Sequence, residues 1–291
     1  MVTRRTWLLF GTAALATAVA AGGFFLWGGP DTLSAQTCRE PAPLRFEIAS
    51  KIERSELGFT QGLEVRDGQL YESTGRIAGT TRINVISFDG QVRTLTDLGT
   101  TVFGEGLTIL NDQIYQLTWQ DHQVFVYDLA AKRQRAMRNP REGWGLTNDG
   151  SSLIFSDGGP SFYYVDPQTF AVRRTVKVRS TRPGDIVGLN ELELVRGRLY
   201  GNIFTTWSIV RIDPANGCID AVADMRSLRD RMSADEKALI DADSGNYVLN
   251  GIAHDNATGT FYVTGKRWKS IFSGRFVEGP RLTMTGSGAP D

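Results

Sequence analysis

From Leu44 onward, apolar and polar residues alternate in short runs broken by turn-forming pairs, the pattern of half-buried β-strands joined by hairpins. Leu44-Arg45-Phe46-Glu47-Ile48-Ala49 is one such run, with no hairpin partner beside it. A fuller unit begins at Phe59-Thr60-Gln61-Gly62-Leu63 and turns at Asp67-Gly68. It continues through Gln69-Leu70-Tyr71-Glu72-Ser73-Thr74 and Ile83-Asn84-Val85-Ile86-Ser87, and ends at Val92-Arg93-Thr94-Leu95, making four short antiparallel strands.

The unit recurs from Glu105-Gly106-Leu107, from Gly143-Trp144-Gly145-Leu146, from Leu189-Asn190-Glu191-Leu192 and from Leu249-Asn250-Gly251-Ile252. Tyr71, Tyr115, Phe155, Tyr200 and Tyr262 hold equivalent places, about 40 to 45 residues apart except where something is inserted before the last copy. A period of that size with four strands per repeat predicts an all-β fold, a five-bladed β-propeller spanning residues 44–278. The last copy lacks an outer strand, which the run around Phe46 can supply, so that the N-terminal strand closes the final blade. The insertion reads as one short helix: Ser233-Ala234-Asp235-Glu236 has the form of a capping box, and the helix is expected to decorate one face.

The ends differ in character. Arg4 and Arg5 precede an uncharged run from Trp7 to Trp27, long enough as a helix to cross a hydrocarbon layer of roughly 30 Å. Residues 1–30 are therefore a signal peptide or a membrane anchor: tryptophan at both ends of the run suits an anchor, while the paired arginines and Ala18-Val19-Ala20 suit a cleaved signal. Either places the domain in a periplasmic or other extracytoplasmic compartment, with membrane contact only through residues 7–27. Residues 31–43 read as a linker and 279–291 as a flexible tail.

Composition narrows the chemistry. Lys plus Arg and Asp plus Glu both number 32 in 291 residues, so no net field draws the chain to nucleic acid. Two histidines and two cysteines leave almost no material for a His/Cys zinc site. In a propeller, the residues before each inner strand and after each second strand meet around one mouth of the central channel. Those positions hold Phe59, Gln61, Phe103, Glu105, Trp144, Asn190 and Asn250 from the first group, and Thr74, Trp119, Asp157, Phe204 and Lys266 from the second. Such a mouth is an aromatic-walled pocket with one carboxylate, a few amides and one ammonium. Glu105, between Gly104 and Gly106 and close to Phe103, is the candidate acid/base, with the glycines supplying positive φ or close backbone approach and the aromatic wall raising its pKa.

The linked runs Phe59-x-Gln61-Gly62-Leu63, Phe103-Gly104-Glu105-Gly106-Leu107-Thr108, Leu117-Thr118-Trp119, Gly143-Trp144-Gly145-Leu146-Thr147, Leu189-Asn190-Glu191-Leu192-Glu193 and Thr264-Gly265-Lys266-x-Trp268 resemble the plant and bacterial type of glutaminyl-peptide cyclotransferase. The resemblance implies a five-bladed propeller that closes an N-terminal glutamine of a peptide or protein into pyroglutamate with no metal; no cofactor and a monomeric chain are expected beside it. It also implies a pocket formed by Phe59, Gln61, Phe103, Glu105, Trp119, Trp144, Asn190 and Lys266. After Gly201-Asn202-Ile203 the family usually has tryptophan where this chain has Phe204, which bears on substrate preference. In that chemistry Glu105 would carry both proton transfers, one of the donors Gln61, Asn190 and Lys266 would hold the oxyanion, with the sequence not selecting among them, and the aromatic residues would pack on the substrate. Two readings of the same pocket remain beside it, a non-catalytic protein-binding propeller and a metal-dependent lactonase drawing on Glu105, Asp157 and Glu191.

Cys38 precedes the closing strand and Cys218 precedes the outer strand of the fourth blade, both on the face opposite the mouth. They are either a disulfide that staples the ring closure or two unpaired thiols.

Overall fold

The computed structural model describes residues 38–76 and 79–280. The expected signal or anchor segment, all of the tail except Gly279 and Pro280, and the first part of the linker lie outside the described residues. In order the strands are β1 (Ala42–Glu53), β2 (Thr60–Arg66), β3 (Gln69–Thr74), β4 (Arg82–Ser87), β5 (Val92–Asp97), β6 (Gly104–Leu110), β7 (Gln113–Thr118), β8 (Gln123–Asp128), β9 (Arg133–Arg138) and β10 (Leu146–Asn148). They continue as β11 (Leu153–Ser156), β12 (Ser161–Val165), β13 (Val172–Lys177), β14 (Leu189–Val195), β15 (Arg198–Ile203), β16 (Ser208–Ile212), β17 (Ile219–Asp224), β18 (Leu249–Asp255), β19 (Thr260–Gly265) and β20 (Ser270–Glu278). Between β17 and β18 lie a 3-10 turn, Arg226–Arg231, and helix α1, Ala234–Ala242. Among the described residues no helix is long and apolar enough to cross a membrane.

β2–β5, β6–β9 and β10–β13 each form a four-stranded antiparallel sheet, and the remaining strands form one of eight in the order β14-β15-β16-β17-β1-β20-β19-β18. The hairpins form where the residues dictate them. Asp67-Gly68, Asn111-Asp112 and Arg196-Gly197 hold both central positions at positive φ, as a two-residue turn matched to the twist of its strands requires. The eight-stranded sheet consists of two halves. β1 pairs antiparallel with β20, from Leu44↔Glu278 to Glu53↔Ser270, so the run around Phe46 does find its partner at the far end of the chain. It also pairs in parallel with β17, from Ala42↔Ala221 to Leu44↔Ala223, which joins that half to its neighbour.

Cys38 and Cys218 close this seam as a disulfide, with Cα atoms 5.4 Å apart across a sequence separation of 180 residues. Cross-linking so long a loop removes much unfolded-state freedom. Cys38→Ser is expected to lower unfolding stability by about 2–4 kcal/mol. The denaturant midpoint of the variant, compared with the oxidised protein, measures it; an unchanged midpoint would mean that the seam holds without the bond.

Apolar layers fill the space between neighbouring sheets: Ile83 with Leu107 and Phe125, Leu117 with Phe155, Ile154 with Val210, Tyr200 with Phe261, and Leu63 and Leu70 with Tyr262 and Ile271. Two buried carboxylates, Glu191 and Glu193, and the half-buried Glu64 tie β14 to β2 and β18, and β2 to β6, across these layers. Glu191 accepts from the backbone N–H of Leu63 (3.2 Å) and Ile252 (2.7 Å), Glu193 from that of His254 (3.1 Å), and Glu64 from Ile109 N–H (2.9 Å) and the Thr108 hydroxyl (2.5 Å). Burial raises the pKa of all three, Glu64 to about 7.

Ser233 caps α1 by accepting from Glu236 N–H (3.2 Å), but Glu236 does not turn back to complete the box. Its carboxylate instead accepts from the Ser270 backbone N–H (3.0 Å) and hydroxyl (2.7 Å), docking the helix against β20.

Candidate active site

Strands β2, β6, β14 and β18 open with the same irregularity. The pairing registers shift between Thr60 and Gly62, Gly104 and Leu107, Leu189 and Leu192, and Leu249 and Ile252, each against a strand that continues without a break. A bulge leaves the extra residue unpaired and re-aims its side chain. The residues so placed include Gln61, Glu105, Asn190 and Asn250. The glycines flanking Glu105 serve close approach and do not take positive φ. A Cβ on Gly106 would lie 2.5 Å from Leu146 N, and one on Gly104 2.6 Å from Thr74 O.

The eight residues that the resemblance assigns to the pocket, together with Phe204, line one cavity of about 240 Å³. Gln61, Glu105 and Asn190 come from bulges, Phe59, Phe103 and Trp144 from just before β2, β6 and β10, and Trp119, Phe204 and Lys266 from just after β7, β15 and β19. Glu105 is buried and accepts a hydrogen bond from Gln61 Nε2 at 3.1 Å. Burial pushes its pKa well above the ordinary carboxylate value, Lys266's charge opposes that shift, and Glu142's negative charge adds to it. Lys266, equally buried, is pushed down to about 8 by desolvation, with Glu105 partly restoring it. Its ammonium lies 4.8 Å from the Phe204 ring centroid and 5.2 Å from that of Phe59. Phe103 stands edge-on between Phe59 (6.1 Å) and Trp119 (5.6 Å), and Phe204 stands edge-on to Trp144 (5.6 Å).

Two amide oxygens in this wall, Gln61 Oε1 and Asn190 Oδ1, are buried without a hydrogen-bond partner among the described residues. Buried acceptors in that condition fit a ligand rich in N–H groups.

The family model for glutamine cyclotransferases matches residues 24–276. The chain belongs to the glutamine cyclotransferase family. The glutaminyl-peptide cyclotransferase of Arabidopsis thaliana is 31% identical over 263 residues, covering 88% of this chain and 80% of that protein. The crystal structure of Myxococcus xanthus glutaminyl cyclase superimposes with a TM-score of 0.72 at 29% identity, over 83% of this chain and 100% of that one.

Other residues named from the sequence fall elsewhere. Asn250 is buried and does not line the cavity, its Nδ2 donating to Thr60 O at 2.9 Å. Asp157 pairs with Arg141 at 3.1 Å, and Thr74 faces a neighbouring cavity. Glu191 turns away from the mouth to the strand contacts described above, because successive residues at a bulge point to opposite sides. Three residues escaped the sequence reading. Gly245 and Asn246, after α1, line the cavity, so the insertion helps to form the site. Glu142 accepts from the indole N–H groups of both Trp119 (2.8 Å) and Trp144 (3.4 Å) and from Gln120 Nε2 (3.0 Å). Partial burial works to raise its pKa, but these donors outweigh burial and hold the carboxyl below the ordinary range. The spacing of Glu142 two residues before Trp144 was the only available signal.

Proposed function

We propose that this chain is a metal-independent glutaminyl-peptide cyclotransferase, an acyltransferase that turns the N-terminal glutamine of a peptide into pyroglutamate and releases ammonia. The observation that carries the reading is a buried carboxyl of raised pKa and a buried ammonium facing one small aromatic-walled cavity.

The glutamine's own α-amine attacks its side-chain carboxamide carbon, forming the ring C–N bond and breaking the bond to the amide nitrogen. The nucleophile is tethered, so the enzyme's work is to hold the curled conformer and to move protons. Glu105 takes the proton from the attacking nitrogen and gives it to the departing one. Lys266 faces the negative charge that develops on the carbonyl oxygen. Gln61 spends its N–H on Glu105, which suits its free oxygen, with that of Asn190, to accept from the substrate's amine or amide. Phe59, Phe103, Trp119, Trp144 and Phe204 pack on the glutaminyl methylenes and exclude water.

The pH dependence follows from the two shifts. Glu105 acts as a base only when ionised, and with its pKa raised, the acid limb lies above that of an exposed carboxylate. Lys266 loses its charge as pH rises through about 8, so activity falls there. In Lys266→Met the alkaline limb assigned to this group is expected to disappear, and kcat to fall more than KM rises, because the contact strengthens in the transition state. Pure KM change in the pH–rate series would make Lys266 a ground-state binding group.

The architecture accords with a five-bladed propeller in which β14–β17 form one blade and β18, β19, β20 and β1 form the closing one. The disulfide accords with an exported domain in an oxidising compartment. An N-terminal signal or anchor over residues 1–30, a linker after it that ends short of β1, which starts at Ala42 and not at the expected residue 44, a catalytic domain to residue 278 and a monomeric state complete the proposal. Ammonia release from a glutamine-initial peptide, assayed with a chelator present, tests it. An asparagine-initial control should release none, and silence from both peptides would reject the activity.

A further inference from the structure

A second cavity, of about 310 Å³, lies next to the first. Phe59 lines both, and neighbouring residues divide between them: Asn246 and Lys266 line the first, Tyr247 and Arg267 the second. Arg267 has φ +60°, a left-handed conformation that is costly for a residue with a Cβ. The turn is held by Arg267 N–H donating to Gly58 O at 2.8 Å. It sends two consecutive cations to two different cavities.

The Arg267 guanidinium carbon lies 5.6 Å from the Phe59 ring centroid and 5.5 Å from that of Tyr247, so the side chain is flanked by two aromatic rings. An arginine placed in this way has given up much of its rotamer freedom before a ligand arrives. Arg82 and Glu56 also line this cavity, 3.7 Å apart, and Arg82 reaches Asp97 at 3.1 Å. Among the described charged residues lining the cavity are two arginines, Arg82 and Arg267, and one carboxylate, Glu56.

A peptide whose glutaminyl residue fills the first cavity must carry its second residue out past the rim. On the Trp119 and Trp144 side the rim is tied together through Glu142. On the Phe59 side the second cavity adjoins it, with Phe59 lining both. We propose that the second cavity receives the residue that follows the N-terminal glutamine, and that Arg267 makes an acidic side chain the preferred one there. The inference rests on the cyclotransferase reading of the first cavity.

The test uses the full chain and three otherwise identical peptides beginning Gln-Glu, Gln-Leu and Gln-Lys, with kcat/KM measured for each. The expected order is Glu over Leu over Lys, with roughly three- to tenfold between the extremes at low salt, typical of a partly exposed charge pair. The spread should shrink at high salt, and in Arg267→Met the Glu-to-Lys ratio should approach one. Equal kcat/KM for the three peptides in the wild type would overturn the proposal whether or not the variant folds, as would a ratio that survives in a folded Arg267→Met protein. Absence of turnover with all three would instead sink the cyclotransferase reading, and this inference with it.

Discussion

Glu105→Gln is expected to lower kcat by about 10²–10⁴-fold while substrate affinity stays within a small factor of wild type. The carboxamide has the shape of the carboxylate and can still accept from Gln61 Nε2 through its oxygen, so the bulge and the cavity wall keep their form. What it cannot do is take a proton from the attacking amine and return it to the leaving nitrogen. Among the described residues Glu105, buried beside a single ammonium, is the only carboxylate lining the cavity, so no described neighbour there can substitute for it. Turnover by ammonia release and binding of a glutamine-initial peptide by calorimetry separate the two effects. A variant that cyclises at near the wild-type rate would remove Glu105 from the mechanism.

Arg54→Met is expected to have the largest effect on stability, about 3–5 kcal/mol, because it strips the counter-charge from a carboxylate sealed in the protein. The side chains of Arg54 and Glu72 are both fully buried, with Nη2 and Oε1 2.5 Å apart. Thr60 donates to the same oxygen (2.6 Å) and Asn84 Nδ2 to the other (3.0 Å). Thr60 lies between Phe59 and Gln61, so this network also fixes the strand end that carries two residues of the site. Arg54→Met combined with Glu72→Leu should recover part of the loss, since no unpaired charge then remains buried. Denaturant midpoints of the two variants decide the matter, and an Arg54→Met midpoint equal to wild type would contradict it.

The strands and hairpins were legible because their signals are local. Alternation in runs such as Ile83-Asn84-Val85-Ile86 and turn pairs such as Asp67-Gly68 act within a few residues, and their repetition made each copy evidence for the others. The pocket was legible for the same reason: equivalent positions in repeated units converge, and nine of the twelve residues expected at the mouth do so, while Thr74, Asp157 and Asn250 do not line the cavity. Contacts between units carry no such signal. The parallel pairing of β1 with β17 depends on where two halves of a sheet meet, and nothing in Ala42-Pro43-Leu44 announces it. Glu142 reads as an ordinary surface carboxylate until Trp119, 23 residues earlier, is brought against it. The helix insertion looked like decoration because periodicity describes α1 and says nothing of the direction taken by Gly245 and Asn246 after it.

The central claim is that the substrate's α-amine displaces its own side-chain nitrogen in this cavity. A glutamine-initial peptide labelled isotopically at the side-chain amide nitrogen distinguishes that reaction from simple amide hydrolysis. The account predicts that all label appears as ammonia, that the peptide loses the mass of one ammonia, and that its N-terminal amine no longer reacts. Labelled ammonia with a peptide that keeps a reactive amine and ends as N-terminal glutamate would contradict it.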